Sequence, residues 1–179
     1  AKKHGAEVIT KESNKGYAHS AYLGLRESLK TDANIIVLVD SDGTYSAKDL
    51  EKMVPYLDNC DMIIGTRQVQ ILTEKGNQLG MFHVWGNLFL AKLIQLKYLS
   101  LLHMGIVQLT DVGCTYRCTK REALEKLIDQ FTHPGTDRVV VGDEFALFMT
   151  MLGIKNEIRI LEAPITFKKR IGISKTQSH

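Results

Sequence analysis

Five consecutive apolar residues, Ile35-Ile36-Val37-Leu38-Val39, run straight into Asp40-Ser41-Asp42-Gly43-Thr44-Tyr45. No other stretch constrains the fold as strongly. A continuous, β-branched run is what a strand covered by helices on both sheet faces requires. A polar loop at the carboxyl end of such a strand is where open α/β sheets bind ligands. The flanking pattern agrees, because strand-like runs alternate with helical periodicities, which predicts βαβ units around a largely parallel sheet. Strands are expected at 7–10, 35–39, 62–64, 139–141 and 158–161, with extended chain at 110–117. Helices are expected from the loop Asn14-Lys15-Gly16-Tyr17-Ala18 to residue 30, with Ala21, Leu25 and Leu29 on one face, and at 46–57, 82–104, 120–130 and 142–152. Ser46 is placed to cap the second of these, with Asp49 three residues on.

Composition narrows the function classes. With 179 residues, 44% apolar and 24% charged, the chain reads as one soluble globular domain spanning 1–179 rather than a disordered segment. It contains no charge-free apolar run of about 20 residues, so no spanning helix is expected within it. The net charge of +3, from 23 basic and 20 acidic residues, is too slight to indicate a nucleic-acid partner, while anionic small ligands stay open. Cys60, Cys114 and Cys118 are an odd set without metal-ligand spacing, so neither a disulfide framework nor a zinc site is expected, and a reducing, cytoplasmic setting fits. Residues 1–5 read like a helix tail running into a strand, which suggests a first βα unit lying upstream.

Two carboxylates at i and i+2 after a buried strand suit a hard divalent cation, since Mg2+ or Mn2+ takes one or two carboxylates plus phosphate oxygens. Asp40 and Asp42 meet that description, with Gly43 permitting close backbone approach and Thr44 offering a hydroxyl. A solvated turn is the plainer reading. Lys168, Lys169, Arg170 and Lys175 gather around Gly172 in a segment able to close over an anion, or else form a solvated basic tail. Asp143 and Glu144 stand at a helix start, where carboxylates also simply favour the macrodipole. The stripe Phe82, Leu88, Phe89, Leu93, Leu96 and Leu99 is most simply core packing. The alternative is a membrane-facing surface, with Lys92 and Lys97 meeting lipid headgroups. His83 and His103, which flank this helix, are assigned no role.

Asp-Ser-Asp-Gly-Thr after an apolar strand resembles the first motif of haloacid dehalogenase-type phosphatases, which implies Asp40 as nucleophile and Asp42 as general acid/base. Ile63-Ile64-Gly65-Thr66 and Val139-Val140-Val141-Gly142-Asp143 resemble that family's later motifs, but Ala146 and Leu147 stand where its second acid belongs. A second resemblance covers nearly the whole chain in order. Asn14-Lys15-Gly16-Tyr17-Ala18, Asp40-Ser41-Asp42, Gly65-Thr66-Arg67, Trp85-Gly86-Asn87, Asp111-Val112-Gly113-Cys114-Thr115-Tyr116-Arg117, Glu144-Phe145-Ala146 and the ending from Ala163-Pro164-Ile165 through Arg170, Gly172, Ser174 and Lys175 resemble the motifs of family-2 glycosyltransferases of the GT-A type, in particular their polyprenyl-phosphate sugar transferase branch. One departure is Thr115, where that family's motif usually has glycine.

This resemblance implies a GT-A-like, Rossmann-like three-layer α/β/α fold with a mainly parallel sheet, and inverting transfer from a nucleoside-diphosphate sugar. It puts the metal on Asp40 and Asp42 and places Ser41 and Thr44 beside the donor. It makes Arg67, Arg117, Arg170 and Lys175 phosphate contacts of donor or acceptor. The implied acceptor is a polyprenyl phosphate or a glycan. A hydroxyl acceptor needs a carboxylate base, Asp143 or Glu144, whereas an ionised lipid phosphate needs none. A location at the cytosolic face of a membrane follows from a lipid acceptor. A non-catalytic remnant that binds nucleotide sugars is the remaining alternative.

Overall fold

A computed structural model describes residues 2–77, 80–99 and 106–172. The first helix, α1 (Gly16–Ser28), begins where Gly16 takes a positive φ of 88° and donates its N–H to Asn14 Oδ1 at 3.1 Å. Ala18, Ala21, Tyr22 and Leu25 recur at helical spacing and form its buried face. The strand β1 (Ile35–Leu38) follows. Residues 47–58 form one continuous helical path: a 3-10 turn Ala47–Asp49, α2 (Leu50–Met53), and a 3-10 turn Val54–Asp58. Pro55, which has no N–H to donate, stands at the start of the second 3-10 turn, where α2 ends. Ser46 stands at the N-cap but makes no side-chain cap bond, and Asp49 turns inward to accept from Thr166 N at 2.9 Å. Next come β2 (Met62–Thr66), α3 (Met81–Lys97), β3 (Arg117–Lys120), α4 (Arg121–Ile128), α5 (Phe145–Lys155) and β4 (Ile160–Pro164).

The sheet order is β1-β3-β2-β4. Three strands share a direction and β3 runs against them, so the ladder is antiparallel from β1 through β3 to β2 and parallel only between β2 and β4. The largely parallel sheet expected from strand–helix alternation is therefore a mixed one. Inserting β3 has a positional consequence. Arg117, at its amino end, lies opposite Leu38 and Ile64, so the loop entering β3 meets the loops leaving β1, β2 and β4 at one end of the sheet.

All five residues of β2 are buried, as a central strand demands. β1 instead sits at the sheet margin, and only Ile36 of its exposed–buried alternation is enclosed. Its expected cover on both faces is absent among the described residues. The stretches 7–10 and 139–141 form no strands either, because Glu7 to Thr10 lie exposed without partners and Val139 makes a single bridge to Thr132. One helical layer comprises α1, α4 and α5, and the 47–58 segment packs on β2 and β3. Between them lies a core of Met62, Ile63, Ile64, Cys118, Leu124, Leu127, Phe131, Phe145 and Met149, with Phe131 and Phe145 ring centroids 4.9 Å apart. All three cysteines are buried and unpaired.

The outer face of α3 departs from the core reading of its apolar stripe. Ala91, Ile94 and Gln95 face inward, but Phe82 is 85% exposed, Leu96 72% and Trp85 66%, and Phe89 and Leu93 are also exposed. Among the described residues no helix is long and apolar enough to cross a membrane. His103, and the last part of the helix expected to reach residue 104, lie outside the described residues.

Candidate active site

The carboxyl-terminal end of the sheet gathers the acidic loop, Arg67, the 111–116 loop and residues 167–171. Gly43 makes the acidic loop possible, turning with a φ of +82° that residues with a side chain rarely adopt. A Cβ there would stand 2.7 Å from Ile171 Cδ1. Asp42 Oδ1 accepts from the Thr44 N–H at 3.1 Å and from its hydroxyl at 2.6 Å, and Thr44 is buried. Asp42 Oδ2 faces Arg170 Nε at 3.4 Å. Asp40 Oδ2 accepts from the Thr115 hydroxyl at 2.7 Å. Burial pushes the Asp40 carboxyl upward in pKa, with the nearby Asp42 charge adding to it, while the Thr115 bond and the Arg67 and Arg170 charges oppose. Ser41 is exposed at the tip.

Residues 167–171 lie over this loop as a strap. Lys168 N donates to Thr44 O at 2.8 Å and Ile171 N to Asp42 O at 2.9 Å, while Phe167 bridges to Tyr45. Tyr45 is clamped between Tyr116 and Phe167, at centroid distances of 5.3 and 5.5 Å. Arg170 is thus brought to the acidic loop by backbone pairing as well as by charge. Lys175 and Ser174 lie outside the described residues.

Arg67 follows β2 directly, so its position is fixed by the central strand. Its Nε and Nη2 meet Asp111 Oδ2 and Oδ1 at 2.6 and 2.7 Å, and its backbone N–H meets Oδ2 at 3.1 Å. The guanidinium also stacks on Phe167, 5.4 Å from the ring centroid. Burial disfavours its charge, but the Asp111 bonds outweigh this and raise its pKa above the ordinary arginine value. Asp111 is wholly enclosed, and its own N–H is held by Glu162 Oε1 at 2.9 Å. Asn87 joins the group from α3: a Cβ on Gly113 would lie 3.0 Å from its Oδ1 and 3.6 Å from Arg67 Nη2.

Arg117 does not belong to this surface. It is fully buried, with Nε and Nη2 donating to Cys114 O at 3.0 and 2.8 Å and Nη1 to Thr150 Oγ1 at 3.0 Å. Desolvation pulls its pKa below the ordinary value. It holds the carbonyls of the loop entering β3 and is fully enclosed, so it does not face the site as the phosphate contact that the resemblance implies. A basic residue in a motif and a basic residue at a surface are different things, and the fold decides between them.

Asp143 is exposed and lines a cavity of about 500 Å³ between the start of α1 and residues 137–143, together with Lys15, Tyr17, His19 and Arg138. Burial raises the pKa of the Tyr17 phenol, and the charge of Asp40 adds to that rise. Glu144 sits at the N-cap of α5, exposed and without a capping bond. It does not line that cavity.

A metal here would find a sparse protein donor set. Among the described residues no group of three or more His, Cys, Asp or Glu side chains converges. Asp40 and Asp42 with the neighbouring Thr44 hydroxyl fit a Mg2+-type ion that completes its shell with phosphate and water. Sequence reasoning left Thr115, Tyr45 and Asp111 without roles. Thr115 carried a signal, a hydroxyl where the motif usually has glycine, and Asp111 opened a quoted motif.

The comparisons with known proteins follow the same outline. Residues 1–128 match glycosyl transferase family 2. The polyprenol monophosphomannose synthase of Mycolicibacterium smegmatis is 28% identical over 173 residues, covering 94% of this chain and 58% of that protein. The undecaprenyl-phosphate mannosyltransferase of Micrococcus luteus is 24% identical over 172 residues, covering 94% of this chain and 63% of that protein. Among solved structures, glucosyl-3-phosphoglycerate synthase from Mycobacterium tuberculosis in complex with phosphoglyceric acid superposes with a TM-score of 0.52 at 13% identity, covering 92% of this chain and 50% of that one. It shares the fold. The chain thus spans less than two thirds of each of these proteins. The phosphatase resemblance falls on the same findings, and its final motif also lacks the 139–141 strand that should present it. With its ordered motifs, its sheet and the match over residues 1–128, the chain belongs to glycosyl transferase family 2.

Proposed function

We propose that this domain transfers a sugar from a nucleoside-diphosphate donor to a polyprenyl phosphate, using a divalent cation held by Asp40 and Asp42. The observation that carries the reading is the convergence of both carboxylates with Arg67 and Arg170 at one end of the sheet. In such a transfer negative charge accumulates on the leaving diphosphate, and groups preorganised against that charge lower the barrier. The cation supplies Lewis-acid stabilisation of the diphosphate. Asp42 and Asp40 would hold it, and Thr44 and Ser41 would border the donor. Arg170, held beside Asp42 by the strap, is assigned to the phosphates, and the family resemblance assigns Lys175 to them as well.

Arg67 is partly exposed and held in place by Asp111, and we assign its charge to the acceptor phosphate rather than to the donor. An ionised phosphate acceptor attacks the anomeric carbon without a base, giving inversion by direct displacement. For a glycan hydroxyl, Asp143 is the base the geometry favours over Glu144, because it lines the cavity beside Tyr17. The similarity to a polyprenol monophosphomannose synthase and an undecaprenyl-phosphate mannosyltransferase supports the lipid-phosphate reading.

The exposed face of α3 supports a peripheral membrane contact. Phe82, Trp85, Phe89, Leu93 and Leu96 present large apolar side chains beside Lys92 and Lys97, the composition of a helix lying in a headgroup interface. Asn87, on the same helix, lies near Gly113 and so beside the loop that holds Arg67.

The test is transfer by the full-length protein from a panel of labelled nucleotide sugars to polyprenyl phosphate, with and without Mn2+, and with Asp42→Ala as control. Metal-dependent product that vanishes in the variant supports the reading. Donor binding without turnover favours a binding remnant, and no donor binding at all overturns the proposal.

A further inference from the structure

Thr115 occupies a position where the family's motif usually carries glycine, and in this structure it touches the centre of the acidic site. Its hydroxyl oxygen lies 2.7 Å from Asp40 Oδ2 and 3.2 Å from the Tyr45 hydroxyl. Thr115 has a single proton, and the carboxylate is the stronger acceptor. It therefore donates to Asp40 and has a lone pair left to accept from Tyr45. Tyr45 is itself immobilised. Its ring is stacked between Tyr116 and Phe167, and the Tyr116 hydroxyl is anchored on Ser46 O at 3.1 Å. Tyr45 also bridges by backbone to Phe167, which begins the strap carrying Arg170. The hydroxyl of Thr115 is the junction where this aromatic clamp reaches the first carboxylate of the pair.

A glycine at 115 makes neither contact, so the orienting bond on Asp40 is specific to a hydroxyl-bearing residue. Asp42 has its own local anchor in Thr44, two residues on in the same loop. Asp40 has no such neighbour bond among its described contacts. It depends on a residue 75 positions away in the chain, delivered by the turn into β3.

We propose that Thr115 is a positioning residue for cation binding, holding the Asp40 carboxylate in the orientation that lets it share a divalent cation with Asp42. The proposal rests on the transferase reading for the identity of the site, but its test does not need transfer. Hydrogen-bonding partners of metal ligands typically account for about 10–100-fold in metal affinity.

The test is Mn2+ binding by the full chain, read by the loss of the free-ion EPR signal, in wild type, Thr115→Val, Thr115→Ser and Asp42→Ala. Valine keeps the shape and removes the hydroxyl, and it is expected to weaken Mn2+ by about tenfold or more. Serine restores the bond and is expected to bind within about twofold of wild type. Thr115→Gly removes the hydroxyl without adding a methyl, and supplies the same comparison if valine disturbs the fold. Wild-type affinity in both the valine and glycine variants, with binding still abolished in Asp42→Ala, overturns the role of Thr115 and leaves the transferase reading intact. Serine as weak as valine also overturns it, because a merely structural role does not distinguish the hydroxyl. Wild type and Asp42→Ala alike in failing to hold Mn2+ overturn both.

Discussion

The carboxyl-terminal end of the sheet and the outer face of α3 are built on opposite terms. At the sheet end almost every polar group has a partner: Asp42 with Thr44 and Arg170, Asp40 with Thr115, Arg67 with Asp111. On α3, large apolar side chains stand in solvent with no protein cover among the described residues. The first arrangement fixes charges that a ligand must find already in place, because reorganising them at the moment of binding costs free energy. The second leaves an exposed apolar patch of the kind that marks interaction surfaces.

The sharpest way to break this contrast is at the sheet end. Asp42→Ala is expected to reduce transfer by about 10²–10³-fold, measured as labelled lipid product, since it removes an electrostatic group acting on the leaving diphosphate. Next in size is Asp111→Ala, which strands the largely buried Arg67 charge. It should cost about 3 kcal/mol or more in a urea titration, because breaking a buried ion pair leaves an uncompensated charge. The double variant Arg67→Met/Asp111→Leu should recover much of that stability while losing transfer. If instead it stayed as unstable as the single variant, the pair would be holding the fold rather than presenting a charge.

On α3 the expectations reverse. Trp85→Ser/Phe89→Ser should lower affinity for anionic lipid vesicles by about tenfold in a sedimentation assay. Its unfolding free energy should stay within about 0.5 kcal/mol of wild type, as expected for surface positions. A large loss of stability would mean that the face is covered by protein.

The smallest effect lies far from both regions, at Asp61, whose carboxyl is held at a pKa of about 2, chiefly by the Arg159 side-chain hydrogen bond. A lowered folded-state pKa contributes stability above the unfolded value of about 3.9 and loses it as the pH falls. Its partner Arg159 is largely open to solvent and screens the pair, so Asp61→Asn should cost less than about 1 kcal/mol at pH 7 and low salt. The difference should fade between about pH 4 and pH 2, and more salt should shrink it.

What the sequence disclosed, and what it hid, follows the range of the interactions involved. The 35–39 run, the acidic loop and the strand ending at Arg67 were legible because each is a local pattern of a few residues. The antiparallel insertion of β3 was not, since it depends on pairing Leu38 and Ile64 with Arg117 across long stretches of chain. Arg117 itself was misread for the same reason. Its charge matches a motif, but the fold encloses it and spends its donors on Cys114 O and Thr150. For the α3 stripe, core packing and a membrane-facing surface both stayed open, because helical spacing reveals an apolar face without naming its partner, and the exposure of Phe82, Phe89, Leu93 and Leu96 removes the first. Arg170 was legible as part of a basic cluster, but its pairing with Asp42 required the strap that Lys168 and Ile171 lay down on the acidic loop.

The central claim is that Asp40 and Asp42, backed by Arg67 and Arg170, form a cation-dependent diphosphate site. Calorimetric titration of the full-length protein with nucleotide sugars tests it most directly, with Mn2+ or EDTA present and with Asp42→Ala beside wild type. The account predicts donor binding that requires the cation and is lost in the variant. Equal binding with EDTA, or in Asp42→Ala, would contradict it.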